Sequence, residues 1–344
     1  MKSLTIAGRW NVNLHNMNNE GTEGNFIQPR TVTIVRNALN PQGDGDTTPT
    51  PQLHTVNALS GDMMKHIHAD YFRQIALDDI GLDGVGIDEA GIARLNAYDG
   101  ALPLSRNSVI LDPNRISTEE DMVEMLEDQD VKNSTILDHL IKTCALTDVH
   151  GILMTAKKRM VPRKSRIEFG WVVAVPELSE TEHYIHVKYA KENATDLKKD
   201  DDATNKGQAL FHRPASSAEY AVLIHVETDR IGLNELTMQS PISEEHRRAR
   251  IAATLRALVQ TLAHPYGAGR SQQAPHVGGF RGAVITSNSR IPAATVSPLE
   301  EDFMEEAKNT VTQMNRLGGD LDLAEVSKMS GLIGKVADLT EAMA

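Results

Sequence analysis

The sequence predicts an α+β protein: a small sheet, helices packed against it, and long segments inserted between its strands. Three observations lead there. Leu4-Thr5-Ile6-Ala7-Gly8-Arg9-Trp10-Asn11-Val12-Asn13-Leu14-His15 alternates apolar and polar residues, interrupted only at Gly8, and a period of two marks a half-buried strand. Helical periodicity follows good start signals at Ser60 and Ser243. The elements run strand, helix, insertion, strand, strands with a loose loop, helix, strand. That order suits a split βαβ sheet with helices on one face and suits a doubly wound sheet less, because strands and helices do not alternate regularly. A chain of 344 residues, 40% of them hydrophobic, can bury a large core as one domain with insertions or as two.

The first strand spans residues 2–15. Its second face carries Thr5, Arg9, Asn11, Asn13 and His15, a cation and amides that suit phosphates and base edges and give a core no support. A polar loop follows over Asn16–Asn25, and a second strand occupies 31–36 after Gln28-Pro29-Arg30. Residues 40–52 hold Pro41, Gly43, Gly45, Pro49 and Pro51 and read as a loop. Ser60-Gly61-Asp62 opens a helix, with Ser60 as N-cap and Asp62 at the positive end of the dipole. Met63, Ile67, Tyr71 and Ile75 then recur along one face.

Residues 78–130 form an irregular acidic insertion with a helical end near 118–128, and Asp138–Cys144 closes another helix. Strands are predicted at Val149–Ala156, Ile167–Pro176, His183–Tyr189 and Ala218–Glu227. Lys191–Gln208 is polar and aperiodic and is expected to be mobile. Ser243–Ala263 is an amphipathic helix with Ile251, Leu255, Leu258, Val259 and Leu262 on one side. Phe280–Ser287 is the last strand predicted. Residues 300–344 read as mainly helical, broken at Gly318-Gly319.

The net charge of −12 taken alone argues against nucleic-acid binding, but charge is segregated along the chain. Ser117–Asp130 holds seven acids and no base, and Lys157–Arg166 holds six bases and no acid. Such segregation predicts separate acidic and basic surfaces, with a solvated surface turn as the plainer reading of the basic stretch. Aromatics are only 4% of the chain, so base stacking is not expected to dominate.

The single cysteine, Cys144, excludes a disulfide framework and a cysteine-rich zinc site. With no N-terminal apolar segment of signal-peptide type and no apolar run near the roughly 20 residues of a membrane span, a soluble cytoplasmic protein is expected. His66 and His68 are two apart on a predicted helix and splay too widely to share an ion. No metal or cofactor is expected. G-x-S-x-G is absent, and no pair of acids stands out by spacing, so no active site is specified. Gly267-Ala268-Gly269-Arg270 follows a helix, so it is neither a dinucleotide fingerprint nor a P-loop. It reads best as a helix stop at Gly267, with a phosphate-approaching loop as the alternative.

A resemblance becomes specific at this point. Gly8-Arg9, Asn16-Met17-Asn18, Gly24-Asn25 and Pro29-Arg30 resemble the opening of the DevR-type CRISPR autoregulator family, the crRNA-binding backbone subunits of type I Cascade complexes. Val56–Asp62 is similar to that family's strand-to-helix turn, Thr147–Leu153 to its D-x-x-G strand, and Phe211–Val222 to the segment returning to its next core strand. The resemblance implies a modified RRM-like (ferredoxin-like) palm made of residues 1–77, 141–175 and 218–297. It also implies a helical fingers insertion over 78–140, a thumb hairpin over 176–217 and a helical C-terminal extension over 298–344.

The implied role is non-enzymatic. Identical subunits would assemble head to tail along CRISPR RNA with other Cascade subunits and present the spacer to target DNA. The first loop would contact guide phosphates through Asn16, Asn18 and Arg30. Ser60, Gly61, Lys65 and His66 would face the same groove, a helix N-terminus among them. Arg159, Arg163, Lys164 and Arg166 would extend the track, with Arg270 and Ser271 beyond. Two other readings stay open: a type III-like subunit cutting target RNA through Glu20 or Glu23, and an α+β enzyme acting on an anionic small molecule.

Overall fold

The computed structural model describes residues 1–38, 50–76, 120–156, 158–189, 208–269 and 271–343. The expected loop 40–49, most of the insertion over 78–119, the polar tract 191–207 and Arg270 lie outside them.

Strand β1 (Ser3–His15) is the axis of the molecule. It pairs antiparallel with β10 (Gln208–Val226) on one side and with β11 (His276–Ser287) on the other. The sheet continues from β10 to β9 (Val172–Tyr189), then β5 (Thr50–Leu59) and β4 (Thr31–Ala38). Beyond β11 it ends in β12 (Leu321–Val326), giving the order β12-β11-β1-β10-β9-β5-β4 with antiparallel neighbours throughout. Short β8 (Ile167–Phe169) also pairs with β10. A hairpin of β2 (Asn19–Glu23) and β3 (Phe26–Pro29) leaves the end of β1, and β6 (Ile152–Ala156) pairs with β7 (Arg159–Arg163) in a separate two-stranded ribbon.

Helices α1 (Gly61–Gln74), α4 (Ala145–His150) and α5 (Glu244–Ala263) lie on one face of the sheet. Both start signals work as expected: Ser60 accepts from the Met63 N–H at 3.2 Å, and Ser243 from the His246 N–H at 3.1 Å. Ile67, Phe72, Ile251, Leu255, Leu258 and Leu262 pack onto Leu4, Ile6, Trp10 and Val12 of β1 to form the main core. The last helix, α7 (Met329–Glu341), adds Leu332 and Val336 to it. A second cluster joins α2 (Glu120–Glu127) and α3 (Asn133–Thr143) to the β6–β7 ribbon through Leu126, Leu137, Leu140, Met154 and Val161.

Gly151, at the end of α4, is a position that requires glycine. It has φ of 76°, and a Cβ there would sit 2.5 Å from the Arg163 carbonyl oxygen.

Several expectations are corrected. The second face of β1 is free only at its far end, where Asn11 is exposed and Asn13 half-buried. Arg9 is 4% exposed and Thr5 and His15 are buried. The segment before α6 (Phe303–Arg316) covers this face at Thr5 and Arg9. The Thr5 hydroxyl donates to the Ala293 carbonyl, the Arg9 guanidinium donates to the carbonyls of Pro298, Leu299 and Glu300, and it also pairs with Glu219. Ala283, Ile285, Ala293, Ala307 and Val311 form a third core there. The C-terminal part is not purely helical, because the chain re-enters the sheet as edge strand β12 after Gly319.

Val149 and His150 belong to α4, not to a strand, and residues 50–52 belong to β5, not to a loop. The stretch 167–176 is two strands interrupted at Gly170-Trp171. Part of the expected polar loop after β1 is the β2–β3 hairpin. Gly267 does not stop α5, which ends at Ala263 with His264 as C-cap. Gly267 instead lies against the first loop, where a Cβ would meet the Met17 carbonyl oxygen at 2.4 Å.

Candidate nucleic-acid interface

Main-chain hydrogen bonds hold Arg30 in place from both sides. Its N–H donates to the Asn18 carbonyl at 3.0 Å, and its carbonyl accepts from the Ala58 N–H at 2.9 Å and from Asn57 Nδ2 at 3.4 Å. Beneath it runs a polar chain. The Met17 N–H donates to His15 Nδ1 at 3.4 Å, which assigns the ring proton to Nε2. That Nε2–H donates to the Tyr220 oxygen at 2.7 Å, and the Tyr220 hydroxyl donates to Asn57 Oδ1. Burial holds His15 neutral, with its pKa lowered to about 4. Asn18 Nδ2 donates to Ser60 Oγ at 3.3 Å, joining the first loop to the cap of α1. The Ala268 N–H donates to the Met17 carbonyl at 3.1 Å and adds the loop after α5 to the same corner.

The predicted residues of this corner take different positions. Asn16 and Asn18 are largely buried, and Asn16 Oδ1 has no hydrogen-bond partner among the described residues. Arg30 is half-buried, 3.9 Å from Glu20, with its guanidinium carbon 5.8 Å from the centre of the Trp171 ring. Ser60 Oγ already accepts from Met63 and Asn18. Gly61 is a packing necessity as well as a surface, since a Cβ would meet the Phe169 carbonyl oxygen at 2.3 Å.

Lys65 is half-buried, and burial lowers its ammonium pKa while Asp62 and Glu168 oppose that shift. His66 lies 3.8 Å from Asp70. The carboxyl of Asp70 is raised by burial against the hydrogen bond from Tyr266 and the charges of His66 and Arg73. His68, on the buried side of α1, contacts His150 at 2.8 Å, so the two neighbouring imidazoles of the sequence do not converge. Ser271 is exposed in a turn beyond the first loop.

The basic stretch is not one surface. Arg159 donates to the carbonyls of Val131 and Asp128 and ties the β6–β7 ribbon to the turn between α2 and α3. Arg163 and Arg166 are buried, contrary to their expected place on a track. Arg163 pairs with Asp148 and Glu235, and Arg166 pairs with Glu235 at 2.6 Å and Glu227 at 3.6 Å. Their charges are met by carboxylates inside the protein and cannot also face a phosphate. Lys164 stays exposed, next to Ser165 on the wall of a cleft.

That cleft, of about 300 Å³, opens between α1 and the β8–β9 turn and is lined among others by Ser60, Asp62, Lys65, Glu168, Phe169 and Trp171. Sequence reasoning did not single out Glu168 or Trp171. The signal available for Trp171 was an aromatic after Phe169-Gly170 in a chain with two tryptophans, the other being the core residue Trp10. A second groove of about 420 Å³ lies along the other flank of Arg30, between Glu20, Gln28, Thr55, Asn57, Glu180 and His183.

An antiparallel sheet wrapped on both faces, with a polar corner built from its first loop, defines the setting in which similarity to known proteins falls, and the class is the CRISPR-associated proteins. The family described as CRISPR-associated negative auto-regulator DevR/Csa2 matches residues 6–308, and the chain belongs to it. It is 25% identical over 355 residues to a CRISPR-associated protein Cas7/Cst2/DevR of Methanocaldococcus jannaschii, covering 97% of this chain and 99% of that one. Among solved structures it is similar to a chain of a CRISPR RNA-guided surveillance complex, pre-nicking, with a TM-score of 0.49 and 12% identity over 99% of both chains. A chain of another CRISPR RNA-guided surveillance complex gives a TM-score of 0.41 at 12% identity over 98% of both. Among the described residues no helix is long and apolar enough to cross a membrane.

Proposed function

We propose that this protein is a backbone subunit of a Cascade-type complex, cytoplasmic, assembling head to tail along CRISPR RNA and presenting the spacer to target DNA without cutting any strand. The observation that carries the proposal is membership of the DevR/Csa2 family over residues 6–308. The strand order β11-β1-β10-β9, crossed by α1 and α5 on one face, is that of a split βαβ palm and supports an RRM-like reading. In this reading the β9–β10 hairpin beyond residue 176 is the thumb, and α2–α3 are the described part of the fingers. Arg30 and Lys164 are the phosphate contacts. The buried Asn16 oxygen, which has no hydrogen-bond partner among the described residues, supports a contact at the same corner.

Purified protein is expected to carry RNA, seen as a high ratio of absorbance at 260 to 280 nm, and to form arced or helical oligomers with it. Arg30→Ala and Lys164→Ala should each weaken binding of guide-length RNA and flatten the dependence of log affinity on log salt by about 0.7, the contribution of one phosphate contact on a single strand. RNA-free monomers that bind no RNA at low salt would overturn the proposal. With complementary RNA and magnesium, the assembled complex should leave the target intact. Periodic cuts abolished by Glu20→Ala or Glu23→Ala would establish the nuclease reading instead.

A further inference from the structure

Arg30 carries its own counter-ion. Its main chain is fixed between Asn18 and Ala58, so only the side chain can adjust. The guanidinium lies between the Trp171 ring and the Glu20 carboxylate, whose Oε1 is 3.9 Å from Nε. Glu20 owes that position to an irregularity in the β2–β3 hairpin. Asn19 pairs with Pro29 and Gly21 with Gln28, which leaves Glu20 as the extra residue of a bulge, a device that re-aims a side chain. At 3.9 Å the pair neutralises charge without a hydrogen bond, and Arg30 Nε has no hydrogen-bond partner among the described residues. The guanidinium is thus charge-paired while one donor stays unengaged. An ion pair this exposed is weak and open to exchange. Around it Arg30, Lys65 and Lys164 stand with Glu20, Asp62 and Glu168, three of each sign. These six groups together offer an approaching phosphate no net attraction.

We infer that Glu20 is a built-in competitor for the RNA phosphate at Arg30, a specificity-determining residue that keeps a lone subunit from holding stray single-stranded RNA. A phosphate that reaches Arg30 must displace the carboxylate. The groove of about 420 Å³ on that flank, which Glu20 lines, gives it room to swing aside. Displacement leaves a carboxylate close to the bound strand, and that repulsion lowers each copy's affinity. The phosphate wins because it can take the Nε–H in a charge-assisted hydrogen bond that Glu20 does not make. The penalty is the same whatever base is attached, so the guide sequence stays free. Contacts between copies on a long strand offset it, whereas a lone copy on a short strand has none. This inference rests on the RNA-binding reading above and deepens it.

RNA-free protein is titrated at low salt with a labelled single-stranded RNA of mixed sequence, too short for two copies, and binding is followed by anisotropy. Glu20→Gln is expected to tighten binding about fourfold, the factor set by two like unit charges about 5 Å apart in water. The gain should fade toward about 1 M salt, where screening acts within about 3 Å. In an Arg30→Ala background the same substitution should add nothing, because no phosphate is then drawn beside it. Glu23→Gln removes an equal charge from the same hairpin, but Glu23 accepts from Gln28 at the turn end, so it should move affinity by less than about twofold. Equal gains from Glu20→Gln and Glu23→Gln, or a gain that persists without Arg30, would reduce the effect to net charge and overturn the inference. Affinity unchanged or weakened by Glu20→Gln would overturn it too, and each of these results leaves the RNA-binding reading standing. No binding by the parent or by any variant would overturn both.

Discussion

Asp148→Asn is expected to destabilise the fold by about 3–5 kcal/mol, the cost of removing one partner from a buried ion network. Asp148 is fully buried on α4, between two guanidiniums whose side chains are also fully buried: Arg163 from β7, and Arg250 from α5 at 2.7 Å. Its two carboxylate oxygens also accept from the Gly232 N–H, at 3.2 and 2.9 Å. Arg163 reaches further, donating to the carbonyls of Leu233 at 2.6 Å and Arg230 at 3.2 Å. One carboxylate thus holds α4, the β6–β7 ribbon, α5 and the turn after β10 in a single arrangement. Asparagine keeps the shape and removes the charge, leaving two cations in a low-dielectric site with Glu235 as the remaining carboxylate on Arg163. Urea unfolding at neutral pH should show the loss as a lowered midpoint with an unchanged slope. Lys164→Ala, an exposed neighbour, should shift stability by no more than about 0.5 kcal/mol. If Asp148→Asn behaved like Lys164→Ala, the network would be incidental to the fold.

The same network explains what the sequence concealed. Lys157–Arg166 holds six bases without an acid, and linear segregation predicts a basic surface. The acids that neutralise Arg163 and Arg166 come from Asp148, Glu227 and Glu235, which are brought near only by the fold. The second face of β1 misled in the same way. Its Thr5 and Arg9 look like a binding face because the segment that covers them lies at residues 293–300, almost the whole chain away, and His15 looks part of it because the break at Leu14 that turns it toward Tyr220 does not show in the alternation.

Local signals were legible. Ser60 and Ser243 cap the helices they were expected to cap, and the apolar face of β1 through Leu4, Ile6, Trp10 and Val12 is the core it predicts. Leu14 departs from that face, being exposed with φ of 55° where the strand breaks into the first loop. Strand β12 was hidden by its brevity and by the helical pattern on both sides. The corner itself was legible as Asn16, Asn18, Arg30 and Ser60, whereas its aromatic wall came from a strand break that alternation alone does not reveal.

Acidification supplies the other large effect, with its sign set by the buried imidazoles. His15 and His68 have pKa values lowered to about 4, and His150 is held well below the usual histidine range. Burial is the leading cause in all three. The hydrogen bonds agree with neutral rings. His68 Nε2 donates to the Thr254 carbonyl at 3.0 Å, so its Nδ1 accepts from His150 at 2.8 Å, and a proton added there would confront the N–H of His150. Well above pH 6.5 neither the folded nor the unfolded chain protonates these groups, and they add no pH dependence. As pH falls from 6.5 toward 4, the unfolded chain binds protons that the folded chain refuses, so stability falls, by roughly 3 kcal/mol for each of His15 and His68 at the lower limit. Urea midpoints at pH 7, 6, 5.5 and 5, above the main titration of the carboxylates, should decline steadily, and His15→Asn should flatten part of that decline. A midpoint constant from pH 7 to 5 would show that these rings accept protons in the folded state. His15 anchors the chain through Tyr220 and Asn57 to the main chain of Arg30, and because it stays neutral in the folded protein over this range, the Arg30 corner should keep its geometry from pH 7 to 5 while the urea midpoint falls.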